Sequence, residues 1–221
     1  AILGKNPKDF DLATDAKPDE VLNIARKGGL KTLEVGKAFG VVLVGGHEIA
    51  TFRKDIGKGR RPSAVDYTDI KGDVMRRDLT INALFYDMDK AEIVDLVGGI
   101  KDLKNKTIRT VGDAQERFDE DPLRKLRALR FAGSVGGRMD NEVAAAIKND
   151  PSLKGVSSER IRDEFIKGIK KAKNTKKYLE LSKNLRILPL ILPGFNINLR
   201  FTKSNDYIVQ IANLLRNENY Q

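Results

Sequence analysis

The chain has 221 residues, of which 40% are hydrophobic and 33% are charged, a balance that excludes a disordered protein and allows a buried core. It contains no cysteine and a single histidine, which excludes disulfide bonds, thiol catalysis, cysteine-ligated zinc and a histidine-rich metal site. Lysine and arginine outnumber aspartate and glutamate by 41 to 31, and the resulting charge of +10 suits a polyanionic partner such as nucleic acid.

No stretch of the sequence predicts a membrane span. The most apolar segment, residues 187–193, is short and is interrupted by prolines. Together with the cysteine-free composition, this predicts a cytoplasmic protein with no membrane partner.

Two aspartates near the start of the chain form the first candidate site. Asp9 and Asp11 are two residues apart, so on a β-strand both carboxylates leave one face, and Phe10 then points to the core. Neighbouring carboxylates repel each other unless a cation lies between them, and Mg²⁺ accepts one or two such oxygens. A solvated turn with two acids is the alternative. Residues 1–5 read as the end of a segment, so we expect further residues upstream.

Two strands are predicted beyond a first helix. Val41–Val44 and residues 48–52 flank a Gly-Gly pair, which favours a two-residue hairpin turn with positive φ angles. Glu48 would then lie on a strand that pairs beside the strand of the two aspartates, where it would add a third carboxylate. An exposed surface glutamate is the alternative.

Arginines are concentrated in the segments that follow. A basic, glycine-containing loop at residues 54–67 includes paired arginines that could contact phosphates or remain solvated. Residues 73–84 place an Arg-Arg-Asp sequence before a short helix, where the arginines could bind a triphosphate and Asp78 with Asn82 could hold ribose hydroxyls. A structural network of ion pairs is the alternative. A second hairpin is predicted over residues 84–95.

The second half of the chain has the periodicity of helices. Helices are predicted over residues 141–148, 158–173 and 205–216. Asp121 and Arg124 are three residues apart and therefore neighbours on a helix surface, although Asp121 before a proline could be an ordinary N-cap. Six lysines crowd one helical region and suit either RNA binding or a solvated face: Lys167, Lys170, Lys171, Lys173, Lys176 and Lys177.

Taken together, these segments resemble the class II tRNA nucleotidyltransferases and bacterial poly(A) polymerases, a family within the polymerase-β-type nucleotidyltransferases. The resemblance covers about residues 1–195, and its motifs occur in the family's order. The matching segments are Leu3-Gly4-Lys5 with residues 9–14 (metal-binding motif), residues 48–53 with Arg60-Arg61-Pro62 (strand and flexible loop), residues 76–84 (ribose and phosphate motif), residues 120–131 (base-selecting neck motif) and residues 158–161 (supporting neck helix).

The resemblance implies a role for each candidate residue. Asp9 and Asp11 would hold Mg²⁺ in a two-metal site for phosphoryl transfer, with Glu48 as a further catalytic carboxylate. The six lysines would bind RNA. The flexible-loop residues are Arg53, Arg60 and Arg61. The nucleotide-binding residues are Arg76, Arg77, Asp78, Asn82, Asp121, Arg124, Arg127 and Arg130.

Base selection is expected to depend on hydrogen bonding. Cytosine and adenine both present an amino donor beside a ring-nitrogen acceptor, whereas uracil and guanine present the opposite pattern. Asp121 accepting from the amine and Arg124 donating to the ring nitrogen would select C and A without a nucleic-acid template.

The predicted fold is a mixed-sheet α/β head of the polymerase-β type at residues 1–112, lacking its first strand. A helical neck at residues 113–185 and a partial helical body at residues 186–221 would follow. The predicted function is Mg²⁺-dependent addition of nucleotides from CTP and ATP to the 3′ end of tRNA. A poly(A) polymerase is the main alternative. The loop between Arg53 and Arg60 is shorter than in many members of the family that the chain resembles, which leaves a CC-adding enzyme open. A non-catalytic RNA-binding fragment is the alternative from another class.

Overall fold

The computed structural model describes residues 2–4, 10–57, 64–194 and 206–215, with only the backbone for residues 214 and 215. The chain divides into two compact units, which we call the N-terminal unit and the C-terminal unit. The N-terminal unit comprises residues 1–77 and 83–97, and the C-terminal unit comprises residues 78–82 and 98–221. The segment 78–82 therefore belongs to the unit built by the second half of the chain.

The N-terminal unit contains a four-stranded mixed sheet with a helix packed on one face. Its first elements are β1 (Leu12–Thr14), α1 (Pro18–Lys27), β2 (Thr32–Leu33), β3 (Val41–Val44) and β4 (His47–Thr51). The strand order is β1-β4-β3-β2, with β1 parallel to β4 and the other pairs antiparallel. The mixed sheet predicted from the sequence is confirmed.

The local sequence explains both α1 and the hairpin of β3 and β4. Pro18 occupies the first turn of α1, and Val21 and Ala25 pack with Val42 and Val44 of β3. The turn between β3 and β4 consists of two glycines with φ angles of 57° and 89°, which residues with a Cβ rarely adopt. The predicted hairpin is therefore confirmed.

Two further hairpins and a short helix complete the N-terminal unit. These elements are β5 (Arg53–Ile56) with β6 (Ala64–Tyr67), α2 (Ile70–Met75), and β7 (Leu84–Asp87) with β8 (Glu92–Asp95). Asp69 begins α2 by accepting a hydrogen bond from the backbone N–H of Gly72 at 2.9 Å. The hairpin predicted over residues 84–95 is confirmed.

The C-terminal unit is mainly helical. Its elements are α3 (Gly99–Asn105), β9 (Thr107–Ile108), α4 (Ala114–Glu120), α5 (Leu123–Val135), β10 (Arg138–Met139), α6 (Asn141–Asn149), α7 (Ser158–Lys171), α8 (Thr175–Asn184), α9 (Leu188–Ile191) and α10 (Tyr207–Leu215). Its core includes Phe118, Leu126, Leu129, Phe165 and Tyr178, all of which are buried. The three predicted helices are confirmed as α6, α7 and α10. Within the described ranges, no helix is both long enough and apolar enough to span a bilayer.

One prediction for the start of the chain is wrong. Phe10 is 66% exposed rather than buried, because β1 begins at Leu12 and the alternation of strand faces does not extend back to Phe10. Asp9 lies outside the described residues, so the predicted common face of Asp9 and Asp11 stays a prediction.

Candidate functional site

Glu48 lies in β4 and Asp11 comes immediately before β1, and these two strands pair in the four-stranded sheet. β1 and β4 run parallel with Leu12 opposite Ile49, so Asp11 and Glu48 each come one residue before this pair. Glu48 lies opposite Leu43 of β3, on the face away from α1. Asp11 and Glu48 are both exposed to solvent. The prediction that the strand of Glu48 pairs beside the strand that follows Asp11 is confirmed.

These two carboxylates fit a hard divalent cation. Carboxylate oxygens on neighbouring strands can reach one ion, and Mg²⁺ commonly binds to proteins through one or two carboxylates. Within the described part of the chain, no cluster of three or more acidic or histidine side chains is found. Asp9, which is predicted to bind Mg²⁺ together with Asp11, lies outside that part, and the metal site stays a prediction.

Arg76 and Arg77 follow α2 and share one buried carboxylate. Asp73 is 2% exposed and accepts hydrogen bonds from Arg76 through Oδ1 and from Arg77 through Oδ2. The ion-pair network that the sequence leaves as an alternative therefore exists. It involves the arginines that are predicted to bind a triphosphate, and that role stays a prediction.

Of the three arginines predicted to lie in a flexible loop, the structure describes Arg53. Arg53 forms an ion pair with Asp55 at 3.2 Å and donates a hydrogen bond to the backbone carbonyl of Phe39. Arg60 and Arg61 lie outside the described residues. The role of all three arginines in a flexible loop stays a prediction.

In the C-terminal unit, Asp78 contacts two other predicted nucleotide-binding residues. Its Oδ2 accepts from Arg127 Nε at 2.5 Å, and its Oδ1 accepts from Asn82 Nδ2 at 3.2 Å and from the backbone N–H of Leu79 at 2.8 Å. Burial alone would raise the pKa of Asp78, but the charge and hydrogen bond of Arg127, with the bonds from Asn82 and Leu79, hold that pKa below its usual value. The structure thus joins predicted residues that are 49 positions apart.

Asp121 lies between α4 and α5, and both oxygens of its carboxylate are held. Oδ1 accepts from the backbone N–H of Leu123, the first residue of α5, at 3.1 Å, and Oδ2 accepts from Arg160 Nη2 of α7 at 2.9 Å. The first contact holds the start of α5, although the N-cap residue of that helix is Pro122 and not Asp121, and the second contact is not predicted. A carboxylate oxygen has two acceptor positions, so these bonds do not prevent Asp121 from also accepting a hydrogen bond from a base.

Arg124 lies in the first turn of α5, and its guanidinium contacts Glu120. Nη1 of Arg124 is 2.5 Å from Oε2 of Glu120, and Arg117 also pairs with Glu120 at 2.6 Å. Asp121 and Arg124 meet through the backbone, where the Arg124 N–H donates to the Asp121 carbonyl at 2.9 Å. The base-selecting role of Asp121 and Arg124 stays a prediction.

Arg130 lies deeper in α5 and pairs with Glu164 of α7. Both side chains are less than one-tenth exposed, which makes this a buried ion pair. The contact gives Arg130 a structural role between α5 and α7. Its predicted role in nucleotide binding stays a prediction.

The six lysines predicted to bind RNA are all exposed, in or next to α7 and α8. Lys173 donates to the backbone carbonyl of Val135 at 3.1 Å, and Nζ of Lys170 lies 4.0 Å from the centre of the Tyr207 ring. A surface with several amines in close succession suits a phosphate backbone. RNA binding by these lysines stays a prediction.

Sequence reasoning misses three anchoring residues, Asp73, Arg160 and Glu164. Asp73 precedes Arg76 by three positions and Arg77 by four, a spacing that favours ion pairs at a helix surface, so a signal exists. Arg160 and Glu164 contact residues that are 39 and 34 positions away in the sequence. No local spacing predicts contacts of that kind.

Comparison with known families gives matches over most of the chain. Residues 1–109 match the family described as the poly(A) polymerase head domain. Residues 138–198 match the family described as "Probable RNA and SrmB-binding site of polymerase A".

Curated relatives of the chain are named CCA-adding enzyme. The protein from Enterococcus faecalis is 43% identical over 175 residues, which cover 76% of this chain and 42% of the relative. The protein from Bacillus subtilis is 42% identical over 167 residues, which cover 72% of this chain and 41% of the relative. The chain spans less than half the length of these relatives.

Solved structures with a similar fold include the CCA-adding enzyme of Bacillus stearothermophilus in complex with CTP. It is 32% identical with a TM-score of 0.71, over 82% of this chain and 44% of that one. A tRNA nucleotidyltransferase complexed with a primer tRNA and an incoming ATP analog is 31% identical with a TM-score of 0.72, over 89% of this chain and 57% of that one. The predicted fold class is confirmed by these similarities.

Proposed function

We propose that this chain, which belongs to the tRNA nucleotidyltransferase and poly(A) polymerase family, adds C and A nucleotides to the 3′ end of tRNA. The observation that carries the proposal is the Asp121 carboxylate, whose two oxygens are held by Leu123 and Arg160. A carboxylate held in this way accepts from the amino group of cytosine or adenine and repels the carbonyl oxygen of uracil or guanine. The substrates would be CTP and ATP, the nucleotides bound in two related solved structures.

The remaining nucleotide contacts belong to the same proposal. Asp78, held by Arg127 and Asn82, would accept hydrogen bonds from ribose hydroxyls, and Arg76 with Arg77 would bind the triphosphate. In the reaction, the 3′ hydroxyl of the RNA attacks the α-phosphorus and pyrophosphate leaves. Positioning and charge neutralisation are the main requirements of such a transfer, so no nucleophilic side chain is needed.

We propose that Asp9 and Asp11 hold Mg²⁺, with Glu48 as a further catalytic carboxylate. Support comes from the pairing of β1 and β4, because Asp11 and Glu48 are both exposed and each comes one residue before the paired Leu12 and Ile49. When bound, Mg²⁺ would neutralise phosphate charge and lower the pKa of the attacking hydroxyl.

The lysine-rich surface of α7 and α8 is proposed to contact phosphates of the tRNA. The exposure of all six lysines and the RNA-binding family match at residues 138–198 support this contact. The division into a head at residues 1–112, a neck at residues 113–185 and a body at residues 186–221 belongs to the same proposal. So does the cytoplasmic location predicted from the cysteine-free composition.

The proposal is tested by incorporation of labelled nucleotide into tRNA transcripts that lack CCA, CA or only the terminal A. CTP and ATP are supplied singly and together, with Mg²⁺ and with a chelator. Ordered addition of C, C and A that requires Mg²⁺ is the expected result.

Other outcomes distinguish the alternatives. The family descriptions name poly(A) polymerase, and long A tails on unrelated RNA would support that activity instead. Two C additions without A would indicate a CC-adding enzyme. Binding of tRNA without incorporation of either nucleotide would contradict the proposed activity and indicate an RNA-binding fragment.

A further inference from the structure

A single buried carboxylate lies against the two arginines that we assign to the triphosphate. We propose that Asp73 is a positioning residue, which holds Arg76 and Arg77 in the orientation that binds the phosphates of the incoming nucleotide. This inference rests on the proposed function and assigns a role to a residue that does not itself touch substrate.

Both carboxylate oxygens of Asp73 accept hydrogen bonds from the arginines. Oδ1 accepts from Arg76 Nε at 2.9 Å and from Arg76 Nη2 at 2.7 Å, and it also accepts from the backbone N–H of Arg53 at 3.3 Å. Oδ2 accepts from Arg77 Nε at 3.1 Å and lies 3.1 Å from Arg77 Nη2. Each guanidinium therefore meets the carboxylate through two nitrogens, which fixes its plane.

The two arginines are anchored at the carboxylate but still reach the surface. The side chain of Asp73 is 3% exposed, whereas those of Arg76 and Arg77 are 23% and 29% exposed. This gradient places the anchor inside the N-terminal unit and leaves part of each arginine side chain exposed to solvent. Nη1 of Arg76 also lies 3.6 Å from Oδ2 of Asp55. A buried carboxylate and partly exposed cations are the arrangement expected where the carboxylate orients the cations toward an anion.

An aromatic side chain supports Arg77 from another direction. The guanidinium carbon of Arg77 lies 4.4 Å from the centre of the Phe85 ring, which favours a cation. Phe85 in turn contacts Phe52 edge to face, with ring centres 5.6 Å apart. The plane of Arg77 is thus constrained by a carboxylate at its edge and a ring at its face.

Electrostatics explains why an acid belongs in a site that binds a polyanion. Two guanidinium groups on consecutive residues repel each other, and their long side chains are flexible when free. One buried carboxylate between them offsets the repulsion and removes the flexibility before the nucleotide arrives. Preorganised donors bind an anion more tightly than mobile ones, because less ordering is required on binding.

The test compares the binding of CTP and CMP, in the presence of Mg²⁺, to wild-type protein and to the variants Asp73→Asn, Arg76→Gln and Arg77→Gln. Asparagine keeps the shape of aspartate but presents an N–H to one of the arginines. We expect Asp73→Asn to weaken CTP binding by about tenfold or more while CMP binding changes by less than about threefold. A role confined to folding would weaken the binding of both nucleotides together.

The matched control is Asp69→Ala, which removes the N-cap of the same helix, α2, without touching the arginines. It should reduce stability and leave the preference for CTP over CMP unchanged. If circular dichroism shows that Asp73→Asn is unfolded, Asp73→Glu replaces it in the test, because glutamate keeps the charge and displaces the carboxylate by one methylene. A folded Asp73→Glu variant should lose the preference for CTP over CMP.

Each remaining outcome has a defined meaning. Unchanged or tighter CTP binding in a folded Asp73 variant, with weaker binding in both arginine variants, would overturn the positioning role and leave the proposed function intact. An equal loss of CTP and CMP binding in the Asp69 and Asp73 variants would reduce Asp73 to a structural residue. Wild-type protein that binds neither nucleotide would overturn the proposed function together with this inference.

Discussion

Arg160 donates a hydrogen bond from Nη2 to Oδ2 of Asp121 across 2.9 Å, which links α7 to the turn between α4 and α5. The other oxygen of Asp121 accepts from the backbone N–H of Leu123. The carboxylate therefore cannot rotate without losing one of these bonds. Its acceptor direction is set by a side chain that lies 39 positions later in the sequence.

We expect Arg160→Gln to reduce the discrimination of CTP and ATP against UTP and GTP. The variant removes the charge-assisted bond that orients Asp121, and a well-formed base contact contributes about 1–3 kcal/mol of discrimination. Stability should fall by about 1.5–3 kcal/mol, the usual contribution of such a bond. The measurements are kcat/KM for the four nucleotides and the free energy of unfolding.

Arg162→Gln is the control for this prediction, because Arg162 is exposed on the same helix and pairs with its neighbour Asp163. It should leave selectivity unchanged. Selectivity of the Arg160 variant that equals wild type would show that Asp121 does not need this anchor.

Asp11→Asn and Glu48→Gln should each lower the rate of nucleotide transfer by about a hundredfold or more. Loss of a metal-binding carboxylate removes several kcal/mol of transition-state stabilisation. Both side chains are exposed, so the free energy of unfolding should change by less than about 0.5 kcal/mol. Asp15→Asn, at an exposed position just after β1, is the control and should transfer nucleotide at the wild-type rate. Wild-type turnover in both variants would remove Asp11 from the metal site and Glu48 from the catalytic residues.

The lowered pKa of Asp78 predicts how stability depends on pH. Its carboxyl titrates near 3.8 when unfolded; burial opposes ionisation in the folded chain, but Arg127 holds the folded pKa below that value. Asp78 therefore adds stability above the unfolded pKa, and this contribution is lost as pH falls through the folded pKa. The difference in unfolding free energy between wild type and Asp78→Asn should be constant above about pH 5 and shrink in stronger acid. A difference that grows in acid would contradict this assignment.

Glu164→Gln should destabilise the C-terminal unit by about 3–5 kcal/mol, because it leaves the buried Arg130 without its anionic partner. Thermal or denaturant unfolding measures the effect. Glu159→Gln, at an exposed position in the first turn of the same helix, serves as the control and should have a small effect. Equal stability of the two variants would show that the Arg130–Glu164 pair contributes little.

Replacement of three exposed lysines of α7 and α8 by glutamine should weaken tRNA binding and make the binding constant less dependent on salt concentration. Each lost phosphate contact lowers the slope of log K against log salt by about 0.7–0.9. The chosen positions are Lys167, Lys171 and Lys177. The control replaces three exposed lysines of α3 and α6, namely Lys101, Lys104 and Lys148. An unchanged slope in the first variant would make this lysine surface a solvated face without a role in binding.

Local signals explain which parts of the fold the sequence predicts well. The hairpin of β3 and β4 follows from a glycine pair that tolerates positive φ, and the strand of Glu48 pairs beside β1 as expected. Phe10 is the exception, because alternation predicts a buried face only within a strand, and β1 starts two residues later.

The candidate site is less accessible to sequence reasoning, because its side chains are oriented by distant partners. Asp121 can be recognised as a cap or as a base-binding carboxylate, but its bond to Arg160 follows only from the packing of α7 near the start of α5. Asp78 and Arg127 likewise meet across 49 positions. Asp73 differs, since its spacing to the following arginines is local and readable.

Segment 78–82 has a consequence for hybrid proteins made from two relatives. Asp78 comes before the last strands of the N-terminal unit in the sequence, yet it belongs to the C-terminal unit and pairs there with Arg127. A hybrid with one crossover near residue 98 would combine this segment from one parent with a C-terminal unit from the other. Two further crossovers, one on each side of segment 78–82, would take this segment from the same parent as α3 and α5. A change in the number of nucleotides that the hybrid adds could then be separated from misfolding at a mismatched junction.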